Sequence, residues 1–307
     1  MEYRRLGRSG LLVSALGLGT NNLGSRLDEA GSRAVVHAAL DVGVTFVDTA
    51  DVYGKGASET VLGAILGARR PNVILATKFG SAFGDKPWER GASRRWLMTA
   101  VEGSLRRLRT DWIDLYQIHT PDAETPIEET LRALDDLVRA GKVRYVGTSN
   151  FAGWQTADAD WTARTEHLAR PISVQDHYNL IRREIEAEVL PAARARGLGV
   201  IPYFPLASGF LTGKYRPGQP PAAGRLLGSP SADRILTEAN YRRLAAFEAF
   251  ATERGHTVLD LAFAWLLGKP EIGSVIASAS SPEQVRTNDA ATAWRLTPEE
   301  LAAVSAL

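Results

Sequence analysis

Four side chains that could move a proton stand at or just after the ends of three successive apolar stretches. Asp48 and Tyr53 lie five positions apart in the run Asp-Thr-Ala-Asp-Val-Tyr-Gly at 48–54, directly after the apolar stretch 44–47. Lys78 ends the next stretch, and His119 ends the one after it. A phenol has too high a pKa for easy proton transfer near neutral pH, but a neighbouring ammonium lowers it. These residues therefore predict a site in which Lys78 activates the Tyr53 phenol as a proton donor.

Asp48 and His119 complete this predicted site. A buried ammonium needs a counter-charge, which Asp48 supplies, and His119 can donate a hydrogen bond to a carbonyl oxygen. Protonation of that oxygen requires a nucleophile at the carbon, and no serine, cysteine or metal cluster in the sequence offers one. A hydride from a bound nicotinamide fits. Taken singly, each residue has a structural alternative as a helix cap, a loop aromatic, an ion-pair partner or a core histidine.

Composition narrows the class of protein. The chain has 307 residues, no cysteine and a formal net charge of +1. Near-neutral charge gives no argument for a nucleic-acid partner, and the lack of cysteine excludes disulfides and thiolate chemistry. No apolar run approaches the ~18 residues of a membrane span, and the N-terminus lacks the apolar core of a signal peptide. We expect a cytoplasmic protein that binds neither nucleic acid nor membrane; its oligomeric state stays open.

The elements that must position these side chains alternate along the chain as short apolar stretches and helical patterns. The stretches lack strict alternation, which is typical of parallel strands buried on both faces. Glycines end several helical patterns, and serines begin others. The predicted strands are 15–19, 44–47, 73–76, 113–118, 143–146, 172–174, 198–201 and 273–276; predicted helices include 32–42, 58–66 and 126–140. Strand then helix, eight times over, predicts one closed (β/α)8 TIM barrel spanning residues 1–307.

Additions to the barrel are also predicted. Residues 3–6 and 11–13 flank Gly-Arg-Ser-Gly and indicate a β-hairpin at the N-terminal end of the barrel. Two extra helices are predicted in the C-terminal half, at 238–254 and 298–306. An open doubly wound sheet is the alternative fold. However, the sequence after the first strand lacks the Gly-x-Gly-x-x-Gly of a dinucleotide-binding turn.

The sequence resembles the aldo-keto reductase superfamily along essentially its whole length. The resemblance is carried by the run at 48–54, by the strands ending in lysine and histidine, and by Leu-Gly-Leu-Gly-Thr at 16–20. Leu-Thr-Gly-Lys-Tyr at 211–215 is similar to bacterial carbonyl reductases related to potassium-channel β subunits. The resemblance implies bound NADP(H) and reduction of a small aldehyde or ketone by hydride transfer. Tyr53 would be the proton donor, with Lys78, Asp48 and His119 as its catalytic partners.

The resemblance also implies which residues contact the cofactor. Ser149, Asn150 and Gln175 would hold the nicotinamide carboxamide, and Tyr203 would stack on the ring. Further implied contacts are Phe204, Pro205, Leu206, Gly209 and Leu211 along the pyrophosphate, Lys214, Arg225 and Ser280 near the 2′-phosphate, Gln284 and Asn288 at the adenine, and Thr20, Asp48 and Ser278 elsewhere on the cofactor.

Two departures from the family pattern bear on cofactor affinity and on the preference for NADP over NAD. Phe204 stands where the family usually has serine, and Ala277 and Ser278 stand where it has proline and glycine. The substrate is not specified by the sequence. Candidate pocket residues are Asn21, Phe79, Phe83, Trp88, Trp112 and Tyr178.

Two other functions remain open for the same four residues. The chain could oxidise a sugar or secondary alcohol, which is the reverse reaction at the same site. It could instead be a nicotinamide-sensing regulatory subunit with little turnover, as its resemblance to channel β subunits suggests. His119 disfavours the regulatory alternative, because those subunits tend to carry a different residue at that position.

Overall fold

The computed structural model describes residues 1–219, 224, 226–227 and 229–307. The chain begins with an antiparallel hairpin of two short strands, β1 (Tyr3–Arg5) and β2 (Leu12–Ser14). Leu6 in its turn is fully buried, and the turn backbone is so close to Gly199 that a Cβ on Gly7 would lie 2.5 Å from the Gly199 nitrogen. The hairpin therefore closes the amino-terminal end of the barrel, as predicted.

Eight parallel strands form the barrel. They are β3 (Leu16–Gly19), β4 (Phe46–Asp48), β5 (Ile74–Phe79), β6 (Ile113–Ile118), β7 (Val143–Ser149), β8 (Pro171–His177), β9 (Gly199–Tyr203) and β10 (Val275–Ala277). Their order is β10-β3-β4-β5-β6-β7-β8-β9. Between β9 and the segment before β10, Val200 bonds to the backbone of Glu271 and Gly273. These bonds close the ring, so the (β/α)8 prediction is confirmed.

Helices surround the strands. They are α1 (Glu29–Asp41), α2 (Ala57–Leu66), α3 (Arg94–Leu108), α4 (Ile127–Arg139), α5 (Gly153–Thr165), α6 (Val189–Arg196), α7 (Ala232–Ile235), α8 (Glu238–Thr252), α9 (Val258–Leu267), α10 (Pro282–Ala291) and α11 (Pro298–Ala306). The two additional helices predicted in the C-terminal half are α8 and α11. Within the described part of the chain, no helix is long and apolar enough to cross a membrane.

Side-chain caps explain where several helices begin. Ser93 and Ser281 accept bonds from backbone N–H groups of α3 and α10, in agreement with the expectation that serines begin some of the helices. The prediction for α1 began at Ser32, three residues late, because Asp28 caps this helix by accepting from the Gly31 N–H. Gly43 follows the end of α1 with φ of +90°, a conformation that glycine adopts without strain.

Strands β5, β7, β8 and β9 extend two or three residues beyond their predicted ends. The added residues are mostly polar and still pair with the neighbouring strand, as Lys78 does with Gln117 and Ser149 with Gln175. Phe46, Ala76 and Leu115 fill an apolar layer inside the barrel. Two residues further along these strands stand Asp48, Lys78 and Gln117. Because side chains alternate across a strand, these residues also face the barrel interior, one layer nearer the carboxyl end.

Candidate active site

The floor of the site is a buried ion pair between neighbouring strands. The Lys78 ammonium lies 2.5 Å from Asp48 Oδ2 and donates to the Thr49 carbonyl at 2.8 Å. The other oxygen of Asp48 accepts from Gln175 at 3.0 Å and from Gln117 at 3.2 Å. All these side chains are enclosed by protein. Burial lowers the pKa of Lys78, but the charges of Asp48 and Tyr53 and the hydrogen bonds to them together outweigh this effect and raise it. Lys78 is therefore a fixed cation.

Tyr53 lies above this pair, on the turn between β4 and α2. Its hydroxyl is 3.3 Å from the Lys78 nitrogen. The turn includes Lys55, Gly54 and Gly56, all with positive φ. At Gly56 a Cβ would lie 2.7 Å from the Arg107 side chain, so only glycine fits this turn without displacing that side chain. The ammonium therefore lies where it would stabilise negative charge on the Tyr53 oxygen.

His119 follows β6 and faces Tyr53 across the site. The two ring centroids are 6.0 Å apart, with planes at 80°. Burial, and then the charge of Lys78, lower the pKa of His119 to about 3, so the ring is neutral at physiological pH. Its Nδ1 is enclosed without a hydrogen-bond partner among the described residues, while the ring lines the cavity. Nε2 is therefore the nitrogen available to a ligand.

A chain of polar contacts joins His119 to the ends of β7 and β9. Asn150 donates to the His119 carbonyl at 2.9 Å and to Ser149 Oγ at 3.0 Å. The Tyr203 hydroxyl in turn donates to the Asn150 side-chain oxygen at 2.7 Å. Asn150 has a φ of +60°, which asparagine tolerates better than most residues. Three strand ends are thereby fixed relative to one another.

The segment after β9 forms one wall and has an unusual backbone. Phe204, Ala207 and Ser208 all have positive φ, between 47° and 57°. Asn179, which is fully buried, donates to the Phe204 carbonyl at 2.9 Å. Non-glycine residues with this geometry each cost on the order of 1 kcal/mol or more, so surrounding contacts must hold them. These contacts therefore hold the backbone of this wall in one defined conformation.

The opposite wall is the segment after β10, which is bonded to the loop after β3. Ser278 Oγ donates to the Asn21 oxygen at 3.2 Å. Asn22 donates to the Ala279 carbonyl at 2.7 Å, and Ser280 bonds to Gln284 through both its backbone nitrogen and its hydroxyl. Ser278, which departs from the family pattern, therefore makes a side-chain bond that glycine could not make.

Between these walls lies a cavity of about 960 Å³ at the carboxyl ends of the strands. It is lined by the predicted residues Thr20, Asp48, Tyr53, His119, Ser149, Asn150, Gln175, Tyr203, Phe204, Pro205, Leu206, Gly209, Lys214, Ser278, Ser280, Gln284 and Asn288. Lys78 lies beneath its floor. Leu211 is fully buried in the hydrophobic core and is not among the described lining residues. Arg225 lies outside the described residues.

Of the substrate-pocket candidates, Asn21 lines the cavity. Phe79 follows the inward-facing Lys78 on β5 and points the other way, where it stacks on Tyr116. Trp112 precedes β6, at the amino end, and lies between two arginines. Tyr178 is buried against Trp265. For these three the prediction was wrong, because an aromatic near a strand faces the cavity only in the correct register and at the correct end.

Phe83 and Trp88 lie on the connection between β5 and α3 and are not among the described lining residues either. Phe83 packs near Trp96 and beneath the Arg107 guanidinium, whereas Trp88 is 47% exposed, with Arg95 beside its ring. The described cavity therefore has few aromatic residues on its β5 side.

Some residues of the site were missed by the sequence analysis. Gln117, two positions before His119, contacts Asp48 directly; its amide in an apolar strand was the available signal. Asn22 and Arg26 on the loop after β3 line the cavity, and no local pattern marks them.

Arg26 and Lys214 are exposed, and no ion pair is seen for either among the described residues. They bring positive charge to the cavity walls.

The residues of the cavity fit a nicotinamide dinucleotide. The volume of the cavity is large enough for such a cofactor. The cavity walls offer amide and hydroxyl groups, and the positive charges of Arg26 and Lys214 could bind its phosphates. Asn22, which lines the cavity, has a buried side-chain oxygen without a hydrogen-bond partner among the described residues. This oxygen could accept a hydrogen bond from a bound ligand. No group of side chains among the described residues could hold a metal ion.

Known proteins resemble this chain along nearly its whole length. The model of the Aldo/keto reductase family matches residues 15–307. A protein of Bacillus subtilis (strain 168) called uncharacterized oxidoreductase YrpG is 40% identical over 298 residues, which covers 93% of this chain and 89% of the relative.

Two plant relatives carry a different description. A probable voltage-gated potassium channel subunit beta of Oryza sativa subsp. japonica is 38% identical over 296 residues, covering 94% of this chain and 90% of the relative. The protein of the same description from Arabidopsis thaliana is 36% identical over the same number of residues, with the same coverage. Both kinds of relative span nearly the whole chain.

Proposed function

Because the chain belongs to the aldo/keto reductase family, we propose that it reduces an aldehyde or ketone with NADPH and that Tyr53 donates the proton. The observation that carries this proposal is the position of the Lys78 ammonium, 2.5 Å from Asp48 and 3.3 Å from the Tyr53 hydroxyl. Such an arrangement stabilises a phenolate as its proton leaves.

The proposed roles follow from these contacts. A carbonyl oxygen placed between Tyr53 and His119 accepts the phenol proton from one and a hydrogen bond from Nε2 of the other. NADPH supplies the hydride to the carbonyl carbon when it is bound. Lys78 balances the charge left on the phenolate oxygen, and Asp48 keeps Lys78 protonated.

The proposed cofactor contacts lie on the two walls. Ser149, Asn150 and Gln175 would hold the nicotinamide end, and Tyr203 would cover one face of the ring. The phosphates would lie near Lys214 and Ser280, with Arg225 as a further contact suggested by the sequence. Gln284 and Asn288 on α10 would contact the adenine.

A screen of aldehydes and ketones, followed by the loss of NADPH absorbance, tests the proposal. We expect turnover of at least one carbonyl class and its near-complete loss in Tyr53→Phe. The same absorbance assay, started with NADP⁺ and an alcohol, measures the rate of the oxidative reaction. Turnover that survives in Tyr53→Phe would mean that another group donates the proton.

A second candidate is a nicotinamide-sensing regulatory subunit, which the names of the rice and Arabidopsis relatives favour. In that case the cofactor bound at the site would act as a signal, and little steady-state turnover is expected. Single-turnover and steady-state measurements separate the two functions. One rapid hydride transfer followed by negligible steady-state turnover would support the regulatory function, whereas many turnovers per minute would support the reductase.

A further inference from the structure

A buried carboxyl group lies behind the site and has no role in the proposed reaction. Asp51 is 1% exposed, and neither of its carboxyl oxygens has a hydrogen-bond partner among the described residues. Its backbone amide donates to the Lys78 carbonyl at 3.3 Å. Asp51 is therefore held against the residue that contacts Tyr53, although its own side chain lies outside the cavity.

The charged groups around Asp51 do not compensate its charge. Glu59 of α2 is fully buried and already has two partners, the Thr77 hydroxyl at 2.6 Å and Arg107 of α3 at 2.7 Å. Glu59 thus repels a negative Asp51, while Arg107 is engaged elsewhere and Lys78 is paired with Asp48. A carboxylate in this position is costly, since unpaired buried charges are strongly disfavoured.

The effect on Asp51 is a large rise in proton affinity. Burial, and then the charge of Glu59, raise its pKa to about 7, against the smaller opposing effects of the Val52 amide, Arg107 and Lys78. Tyr116 of β6 also faces this cluster. Its hydroxyl is buried without a partner among the described residues, and burial followed by Asp51 and Glu59 raises its pKa. Tyr116 therefore stays neutral beside Asp51.

We infer that Asp51 is an electrostatic positioning residue for Tyr53: a negative charge on its enclosed, unpaired carboxyl group opposes loss of the phenol proton and so preserves the proton donor. The inference rests on the proposed role of Tyr53. Coupled acids release their protons in steps that belong to the group as a whole. Once Asp51 is charged, removing a proton from Tyr53 would add a third negative charge near Lys78, beside those of Asp48 and Asp51.

The substitution that tests this is Asp51→Asn, which keeps the shape of the neutral carboxyl but cannot ionise. Titration of tyrosinate absorbance in the cofactor-free protein, with Tyr53→Phe subtracted in each background, reports the Tyr53 phenol alone. We expect the midpoint to fall by about one pH unit in Asp51→Asn, which corresponds to a charge interaction of about 1.4 kcal/mol. In the pH profile of kcat for carbonyl reduction, the midpoint of the alkaline decline should shift to lower pH by the same amount.

Two variants sharpen the comparison. Asp51→Glu retains the charge and should keep the wild-type midpoint. Asp176→Asn is the matched control, because Asp176 at the end of β8 is also buried, has one oxygen without a partner among the described residues and has a pKa raised by burial to about 7. The charge that acts on Asp176 is that of Arg182, whereas Lys78 acts on Asp51. This control should leave the Tyr53 midpoint unchanged.

The outcomes separate the inference from the proposed function. An unchanged midpoint and alkaline limb in Asp51→Asn, or a shift upward, would overturn the inference even if carbonyl reduction is rapid. A downward shift in a protein that turns over no carbonyl would support the electrostatic role and reject the reductase. If Asp51→Asn does not fold, Asp51→Ser carries the same expectation and is read in the same way.

Discussion

The Lys78 ammonium and the Asp48 carboxylate lie 2.5 Å apart, with side chains no more than 3% exposed. Burying either charge alone would be strongly unfavourable, so each is stable in the barrel interior only because the other compensates it. The pair therefore links the stability of the fold to the chemistry proposed for Tyr53.

Removing one member of this pair should destabilise the chain strongly. Asp48→Asn leaves Lys78 without its counter-charge, and breaking a buried pair costs roughly 3–5 kcal/mol. Urea unfolding of the purified proteins measures this. Asp136→Asn is the control, because Asp136 pairs with Arg94 where both side chains are about half exposed, and exposed pairs contribute about 1 kcal/mol or less. Equal losses in the two variants would contradict the structural role of Asp48.

The Tyr53 phenol should be dispensable for binding and essential for turnover. Tyr53→Phe retains the ring and removes the proton, so carbonyl reduction should fall by about 10²-fold or more. NADPH affinity, measured by fluorescence titration, should change little. A parallel loss of affinity would show that the variant disturbs the cavity and would leave the proton donor to be assigned by other means.

His119 should remain neutral throughout the physiological range. Its pKa is lowered to about 3, from 6.5 for the free side chain, mainly by burial. Between about pH 3 and pH 6.5 the unfolded chain therefore binds a proton on this residue that the folded chain does not bind. The contribution of His119 to folding stability is present above pH 6.5 and is lost as the pH falls toward 3. NMR of the imidazole resonance, assigned by its absence in His119→Gln, should show no titration between pH 5 and 8. A midpoint near 6.5 would contradict the enclosed position of the ring.

Asp51 gives stability the opposite dependence on pH. Its pKa of about 7 exceeds the ordinary value of 3.8, so the folded chain binds an extra proton between these values and loses stability as the pH rises through them. Asp51→Asn should become more stable relative to wild type from pH 5 to pH 8, by roughly 2–3 kcal/mol. Chemical denaturation at both pH values measures the difference. A constant difference would mean that Asp51 ionises normally.

Preference for NADPH over NADH should depend on the basic residues near the proposed phosphate contacts. Charge-assisted bonds to a phosphate each contribute about 1.5–3 kcal/mol. The double variant Lys214→Ala and Arg225→Ala should therefore narrow the ratio of the two dissociation constants by at least ~10-fold. Lys86→Ala is the control, because Lys86 lies on another loop and pairs with Glu89. Equal affinities of the wild type for both cofactors would reject the assignment.

The sequence by itself determined the eight strands and the positions of Asp48, Lys78 and His119 at their carboxyl ends. It could do so because the short apolar stretches and the repeat of strand and helix are local properties of the chain. The end of β5 was placed too early, since an apolar stretch stops at the first polar residues whereas backbone pairing continues to Phe79. The polar residues that directly follow the apolar stretches 73–76, 143–146 and 172–174 therefore belong to strands β5, β7 and β8.

Only the tertiary structure decided which distant side chains meet. The contacts of Gln117 with Asp48, of Asn22 with Ala279 and of Asn179 with Phe204 join segments far apart in sequence. The exclusion of Phe79 and Trp112 from the cavity also depends on the face and the end of the barrel on which each lies. Register between strands and the closure of the ring fix these relationships, because they arise from packing the whole chain and leave no signature in any short stretch of it.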